Sequence, residues 1–307
     1  MLFKRMFILP DIFDINYFIN NSKNLGRSSN NHNNKIRENI ILSMPFIDDE
    51  YFSDPKFGIQ WTTFKYDFDK NMKIICSTFT TYKIKHKAGR KFNYDYLISF
   101  LDETNQIIYE EKLEFKYNAF TIDETPQFVS PMKPSQYLSI PFEEYYYDNY
   151  LVKLFQEFML EIPNRENYLK TIHNNKPKCM EQAQLLYYQG CKQSSKYTAS
   201  KQAILFYETC NVYSRECIKK FIENSDLDIS KLTQYLINSQ DKKIYLLYKD
   251  GKFNLDTTDI HNYHILSYSK NPEKARYEVL TQSGKKINIL LRWKNGNGIA
   301  YPAFQIS

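Results

Sequence analysis

The sequence predicts an α/β fold with a β-rich module at its C-terminal end. Three observations predict it. Apolar residues recur at helical spacing in several separate stretches, most clearly over 142–161 and 199–223. Between Tyr94 and Tyr117 two strand-like runs flank a polar turn, the pattern of a β-hairpin. From Lys243 onward the pattern becomes that of strands, with Asp250-Gly251, Ser283-Gly284 and Asn297-Gly298 as turns.

Taken in order, residues 1–20 are apolar and predict a short helix packed on a core. The Asn- and Ser-rich run 20–34 reads as a loop. A helix over 35–44 places Ile36, Ile40 and Ile41 on one face and carries Glu38. Residues 61–68 and 72–82, rich in Thr, Ile, Phe and Tyr, read as strands. The basic run 83–91, KIKHKAGRK, reads as an edge or loop. After the hairpin, four prolines make 121–141 a connection. Residues 163–180 read as a loop, followed by helices at 179–190, 199–223 and 230–238, the last capped by Ser230. Strands then follow to the C-terminus, with Pro302 placing the final one at a sheet edge.

A chain of 307 residues with 42% hydrophobic content can bury one large core or two moderate ones. The expected division is 1–165, carrying the chemistry, and 166–307, a helical segment plus a basic β-rich module. Net charge is +6, and from Lys242 to Ser307 there are 11 Lys and Arg against 5 Asp and Glu. The positive excess therefore sits in the C-terminal fifth, which suits a polyanionic partner. Five cysteines, an odd number with no CxxC spacing, argue against a disulfide framework or a zinc ribbon and for an intracellular protein, cytoplasmic or nuclear. The opening MLFKRMFILP is too short to span a bilayer and lacks a cleavage site, so neither secretion nor a transmembrane segment is expected. No Walker loop, GxGxxG or GxSxG occurs, which sets aside the nucleotide-binding and serine-hydrolase motifs.

The chemistry concentrates in the hairpin. If Thr104-Asn105 is a two-residue turn, paired positions sum to 209, Asp95 lies opposite Glu114, and Lys116 shares the face of Glu114. Two opposed carboxylates repel unless something compensates. A divalent cation would compensate, and hard oxygen ligands suit Mg²⁺, with Mn²⁺ as the alternative. Asp95, Glu114 and the Phe115 carbonyl are the candidate ligands, and Lys116 would orient or help deprotonate a water, or neutralise developing charge. The same strand also alternates Glu110, Lys112, Glu114 and Lys116, which suits an exposed charge ladder, and Lys112 then faces Leu97. Against a ladder, the first strand is apolar on both faces and predicts burial.

Asp95 on one strand with Glu114-Phe115-Lys116 on the next resembles the PD-(D/E)XK nuclease superfamily, which includes many type II restriction endonucleases. The resemblance covers about 25 residues, and Tyr94 stands where many members have Pro. It implies a restriction-endonuclease-like mixed central sheet flanked by helices, Mg²⁺-dependent hydrolysis of phosphodiesters, and duplex DNA as the usual substrate. Many members carry a further Glu on an N-terminal helix, and Glu38 is its counterpart by position. Two basic regions are the expected nucleic-acid contacts. Lys85, Lys87, Arg90 and Lys91 precede the hairpin, and Arg292, Lys294, Asn295 and Gln305 flank the last turn. The expected function is site-specific, Mg²⁺-dependent cleavage of duplex DNA, with the C-terminal half wrapping DNA or forming a homodimer interface. The alternatives are nucleic-acid binding without catalysis and an RNA endonuclease of related fold.

Overall fold

The computed structural model describes residues 14–19, 27–87, 92–125, 133–174, 177–240, 242–294 and 301–306. The chain forms two compact units, one of residues 1–126 and 242–258, the other of 127–241 and 259–307. The expected boundary at 165/166 falls inside the second unit, at the start of helix Arg165–Thr171.

The first unit is a mixed five-stranded sheet with helices on one face. Its helices are α1 (Asn16–Ile19), α2 (Arg27–Leu42), α3 (Asp49–Phe52) and α4 (Gly58–Ile75). Its strands are β1 (Thr81–His86), β2 (Tyr96–Leu101), β3 (Ile107–Tyr117), β4 (Ile244–Lys249) and β5 (Lys252–Thr257), in that spatial order. All neighbours are antiparallel except β3 and β4, which run parallel with Glu114 beside Tyr245 and Lys116 beside Leu247. The β4–β5 hairpin was expected in the C-terminal module. It joins the first sheet instead, because β3 offers an edge that no stretch near it in sequence fills. Its turn is the predicted one, with Asp250 and Gly251 both at positive φ.

Two segments differ from the strand and loop expectations. Residues 61–68 and most of 72–82 are not strands but α4 with the loop that follows it. Trp61, Phe64, Phe68 and Met72 recur every three or four residues and are each at most 3% exposed, so period outweighs the β-like composition. Helix α2 begins at Arg27 within the supposed loop. Arg37 anchors it: its Nε donates to the Tyr17 carbonyl at 2.7 Å, and its guanidinium lies 3.5 Å from the Tyr117 ring centroid. Ile40 and Ile41 bury the rest of that helix face. These helices pack on the sheet face carrying Tyr96, Ile98, Phe100, Leu113, Phe115 and Tyr248. Register puts Lys83, Lys85, Leu97, Ser99, Lys112, Glu114 and Lys116 on the opposite face, where the only apolar cluster among the described residues is Ala119, Ile122, Tyr245 and Leu247.

The second unit combines helices with an antiparallel sheet. A continuous helix comprises α5 (Phe142–Tyr146), a π-helical turn (Tyr147–Leu151) and α6 (Val152–Glu157), close to the expected 142–161. Helix α7 (Arg165–Thr171) occupies part of the supposed loop, and its cap Asn164 accepts from the Asn167 N–H at 3.1 Å. Then come α8 (Glu181–Gly190), α9 (Lys201–Asn224) and α10 (Ile229–Gln240). Asp228, not Ser230, sits at the start of α10, where its carboxylate accepts from the Lys231 N–H at 3.1 Å. The sheet is β6 (Ile265–Asn271), β7 (Arg276–Thr281), β8 (Lys286–Lys294) and β9 (Tyr301–Ile306), in that order, with Pro302 on the edge strand β9 as expected. Phe142, Phe206, Phe221 and Trp293 join its core, and all five cysteines of the chain are free thiols.

Helix α8 packs tightly on α9 at Gly190. A Cβ there would run into the Ala203 carbonyl and come within 2.8 Å of the Tyr207 Cβ. Backbone cannot yield as a side-chain tip can, so Gly190→Ala is expected to destabilise the protein by about 1–3 kcal/mol, read as a lower denaturant midpoint.

Candidate active site

The hairpin of β2 and β3 sets the site. Tyr96 pairs with Leu113 and Leu97 with Lys112, so the expected register, with pairs summing to 209, holds next to Asp95. It holds for a reason different from the one expected. The turn is longer, with Leu101 opposite Ile107 and Asp102 accepting from the N–H groups of Thr104 and Gln106 at 2.8 and 3.0 Å. A bulge beside Phe100 and Leu101 then restores the register.

Asp95 stands just before β2, where pairing with β3 gives out. Its N–H donates to the Leu113 carbonyl at 2.9 Å, and its Oδ2 accepts from the Phe115 N–H at 2.9 Å. The side chain thus satisfies a β3 donor that would otherwise look for a backbone partner. Its own carbonyl accepts from the Lys87 N–H at 2.7 Å, fixing it to the end of β1. On an extended strand the N–H and C=O of one residue point the same way, so the Phe115 carbonyl faces the side on which Asp95 lies.

Glu114 and Lys116 follow on β3, their side chains 13% and 22% exposed, with Lys116 Nζ donating to Glu114 Oε1 at 2.7 Å. The outer half of the same strand is different. Residues 107–110 are exposed, and Ser99 Oγ donates to Glu110 Oε1 at 2.6 Å. The ladder reading therefore describes Glu110, and the enclosed reading describes Glu114 and Lys116. Lys112 does face Leu97, half-buried, with its Nζ 5.5 Å from the Tyr94 ring centroid. The expectation that β2 is buried on both faces is corrected. Tyr96, Ile98 and Phe100 are buried, but Leu97 and Ser99 are half-buried, because the described helices of this unit pack on the face carrying the first three.

The Asp95 carboxyl is pushed up to about 6, first by burial and then by the Glu114 charge, with the Phe115 N–H and Lys116 working the other way. Glu38 lies at the same end of the sheet, close enough for its charge to raise Asp95 further. Its direct partner is His86, whose Nε2 is 3.8 Å from Glu38 Oε2, and burial raises its own pKa. Tyr96 donates to the Glu38 main-chain carbonyl at 3.0 Å, tying α2 to β2.

Sequence reasoning missed Lys243. Its side chain is 2% exposed, and its Nζ lies 3.3 Å from Glu114 Oε2 and donates to the Asn93 carbonyl at 2.7 Å. Nothing in the hairpin's sequence signals it, since it stands 129 residues further on, immediately before β4, and the parallel pairing of β4 with β3 brings it there. A cavity of about 280 Å³ is lined by Phe18, Tyr117, Tyr248 and Asp250 among others. Neither Asp95 nor Glu114 lines it, so it is not where these carboxylates act.

Among the described residues no group of three or more His, Cys, Asp or Glu side chains is placed to hold a metal ion. Two carboxylates are what Asp95 and Glu114 provide, and Mg²⁺ is commonly held by one or two carboxylates, with waters and substrate oxygens completing its shell. The donor set thus fits Mg²⁺, and the mutual repulsion of the two acids is what a cation would relieve.

The expected nucleic-acid contacts are only partly placed. Lys85 is exposed on the Glu114 face of the sheet, and Lys87 is half-buried with its Nζ 5.1 Å from the Phe92 ring centroid. Arg90, Lys91 and Asn295 lie outside the described residues, as does the side chain of Lys294. In the second unit, Arg292 is exposed, and pairing of Arg292 with Ala303 and of Leu290 with Gln305 puts Arg292 and Gln305 on one face. If Lys85 contacts a phosphate, Lys85→Ala should reduce the slope of log affinity against log salt for duplex DNA by about 0.9, measured by titration at several salt concentrations.

No helix among the described residues is long and apolar enough to cross a membrane. No protein-family model matches the sequence, and a search of curated proteins finds no match.

Proposed function

We propose that this chain is a Mg²⁺-dependent endonuclease that hydrolyses phosphodiester bonds in duplex DNA, site-specific in the manner of restriction enzymes. The observation that carries the reading is the meeting of Asp95, Glu114 and Lys116 where β2 begins beside β3. The Glu114 charge helps to raise the Asp95 pKa, and Lys116 is bonded to Glu114 at 2.7 Å. The mixed five-stranded sheet is the part of the PD-(D/E)XK expectation that supports the reading; its described helices pack on one face, where the resemblance implies helices on both.

Asp95 and Glu114, with the Phe115 carbonyl, would hold the cation. When bound, it supplies Lewis acidity toward the scissile phosphate and acidifies a water. The chain's own residues do the rest. The Phe115 N–H keeps the Asp95 carboxylate from rotating away. Lys116 keeps Glu114 aimed at the strand end and presents a positive charge beside the place where negative charge grows. Lys85, exposed on the same sheet face, extends that positive character for the DNA backbone.

The test is to incubate wild-type protein with mixed plasmid DNA, with Mg²⁺ and with chelator, beside Asp95→Ala and Lys116→Ala. Cleavage by wild type that needs Mg²⁺ and is lost in both variants supports the reading. DNA left equally intact by all three across salt conditions removes it. The neutralisation of Glu114 by two lysines favours a second reading, nucleic-acid binding without catalysis. Salt-sensitive binding without Mg²⁺-dependent cleavage would select it.

A further inference from the structure

We infer that Lys243 is a positioning residue for the Asp95–Glu114 pair, an inference that rests on the endonuclease reading. Lysine is seldom this enclosed unless something holds it. Here the ammonium bridges the two halves of the site. One contact is to the Asn93 carbonyl, two residues before Asp95, at 2.7 Å. The other is to Glu114 Oε2 at 3.3 Å. The Tyr245 ring lies 4.9 Å from the same nitrogen.

The geometry divides labour between two lysines. Lys116 takes Glu114 Oε1 and is the more exposed, at 22% against 2%. It is the one that can move toward a phosphate. Lys243, immediately before β4, takes Oε2 and is almost wholly enclosed. When Lys116 turns to substrate, Lys243 keeps Glu114 in place and keeps the Asn93–Asp95 segment at its distance from β3. Groups that orient a ligating carboxylate typically change metal affinity or activity by about 10–100-fold when removed.

The test uses Lys243→Met and Lys243→Gln in the full chain, with Mn²⁺ binding followed by its paramagnetic resonance signal and cleavage followed on plasmid DNA. Both variants are expected to bind Mn²⁺ about tenfold more weakly. Turnover should fall while KM for DNA stays put, since an enclosed amine touches no DNA. Combining Lys243→Met with Glu114→Gln should weaken Mn²⁺ binding no further than Glu114→Gln alone, because the two act through one carboxylate. Unchanged or tighter Mn²⁺ binding, additive losses, or a raised KM would overturn the inference. If the single variants fail to fold, melting of the Glu114→Gln/Lys243→Met pair decides. Restored folding supports the pairing, and continued failure to fold refutes it. Wild type that neither binds Mn²⁺ nor cleaves DNA removes the endonuclease reading itself. Wild type that does both, beside Lys243 variants that match it, removes only the role of Lys243.

Discussion

Asp95→Ala is expected to lower Mg²⁺-dependent cleavage by about a thousandfold or more. Asp95 is one of the two carboxylates proposed to hold the cation, and a cation at such a site contributes several kcal/mol to the transition state. A loss of about 4 kcal/mol is a factor of about a thousand in rate. Alanine does two things at once. It removes a ligand, and it leaves the Phe115 N–H without the acceptor it has at 2.9 Å. Asp95→Asn separates them, because the amide oxygen can still accept from Phe115 while offering no negative charge. Asparagine should therefore be as inactive as alanine but structurally closer to wild type. Lys116→Ala should differ in kind, losing about 10²–10³ in turnover while Mn²⁺ binding persists. Single-turnover cleavage of plasmid DNA, with Mn²⁺ affinity measured in parallel, checks all three. Retention of a tenth or more of wild-type turnover in Asp95→Ala would remove Asp95 from the chemistry.

What the sequence made legible here was local. Alternation and turn residues gave the hairpin, and its pairing put Asp95 opposite Glu114, although the turn was longer than assumed and a bulge made up the difference. The Asp250-Gly251 turn and the C-terminal strands were legible for the same reason, each being fixed by residues close in sequence. Helix α4 was misread because Thr, Ile, Phe and Tyr favour strands in general, while the spacing of Trp61, Phe64, Phe68 and Met72 favours a helix in particular. The long-range features were not legible at all. Nothing near β3 announces that β4 will lie parallel to it, and without that pairing Lys243 has no reason to meet Glu114. The nearness of Asp95, Glu114 and Lys116 was thus readable, and the contact of Lys243 with Glu114 was not.

Asp95→Asn is also expected to stabilise the metal-free protein, by about 1–3 kcal/mol at pH 8. The Asp95 carboxyl is raised from its ordinary 3.8 to about 6, by burial first and by Glu114 second. At about 1.4 kcal/mol per pH unit, a shift of this size corresponds to roughly 3 kcal/mol, from which the weaker acceptor of an amide subtracts. The sign follows from proton counting. Between about pH 4 and pH 6 the folded chain binds this proton more tightly than the unfolded chain does, so wild-type stability falls as pH rises through that window. Above it the cost is fully present and constant. The Asn variant carries no such proton and should lack that component, so the two denaturant midpoints should draw together toward pH 4 and separate toward pH 8. Mg²⁺ should act on them unequally. A ligand that binds only the folded state adds stability with the logarithm of its concentration, so wild type should gain on titration and Asp95→Asn should not. A midpoint difference that ignores pH, or an equal response of both proteins to Mg²⁺, would mean that the Asp95–Glu114 repulsion is not held in readiness for a cation. The expected result would mean that it is, and that the fold tolerates a destabilising pair of acids because the bound ion turns their repulsion into coordination.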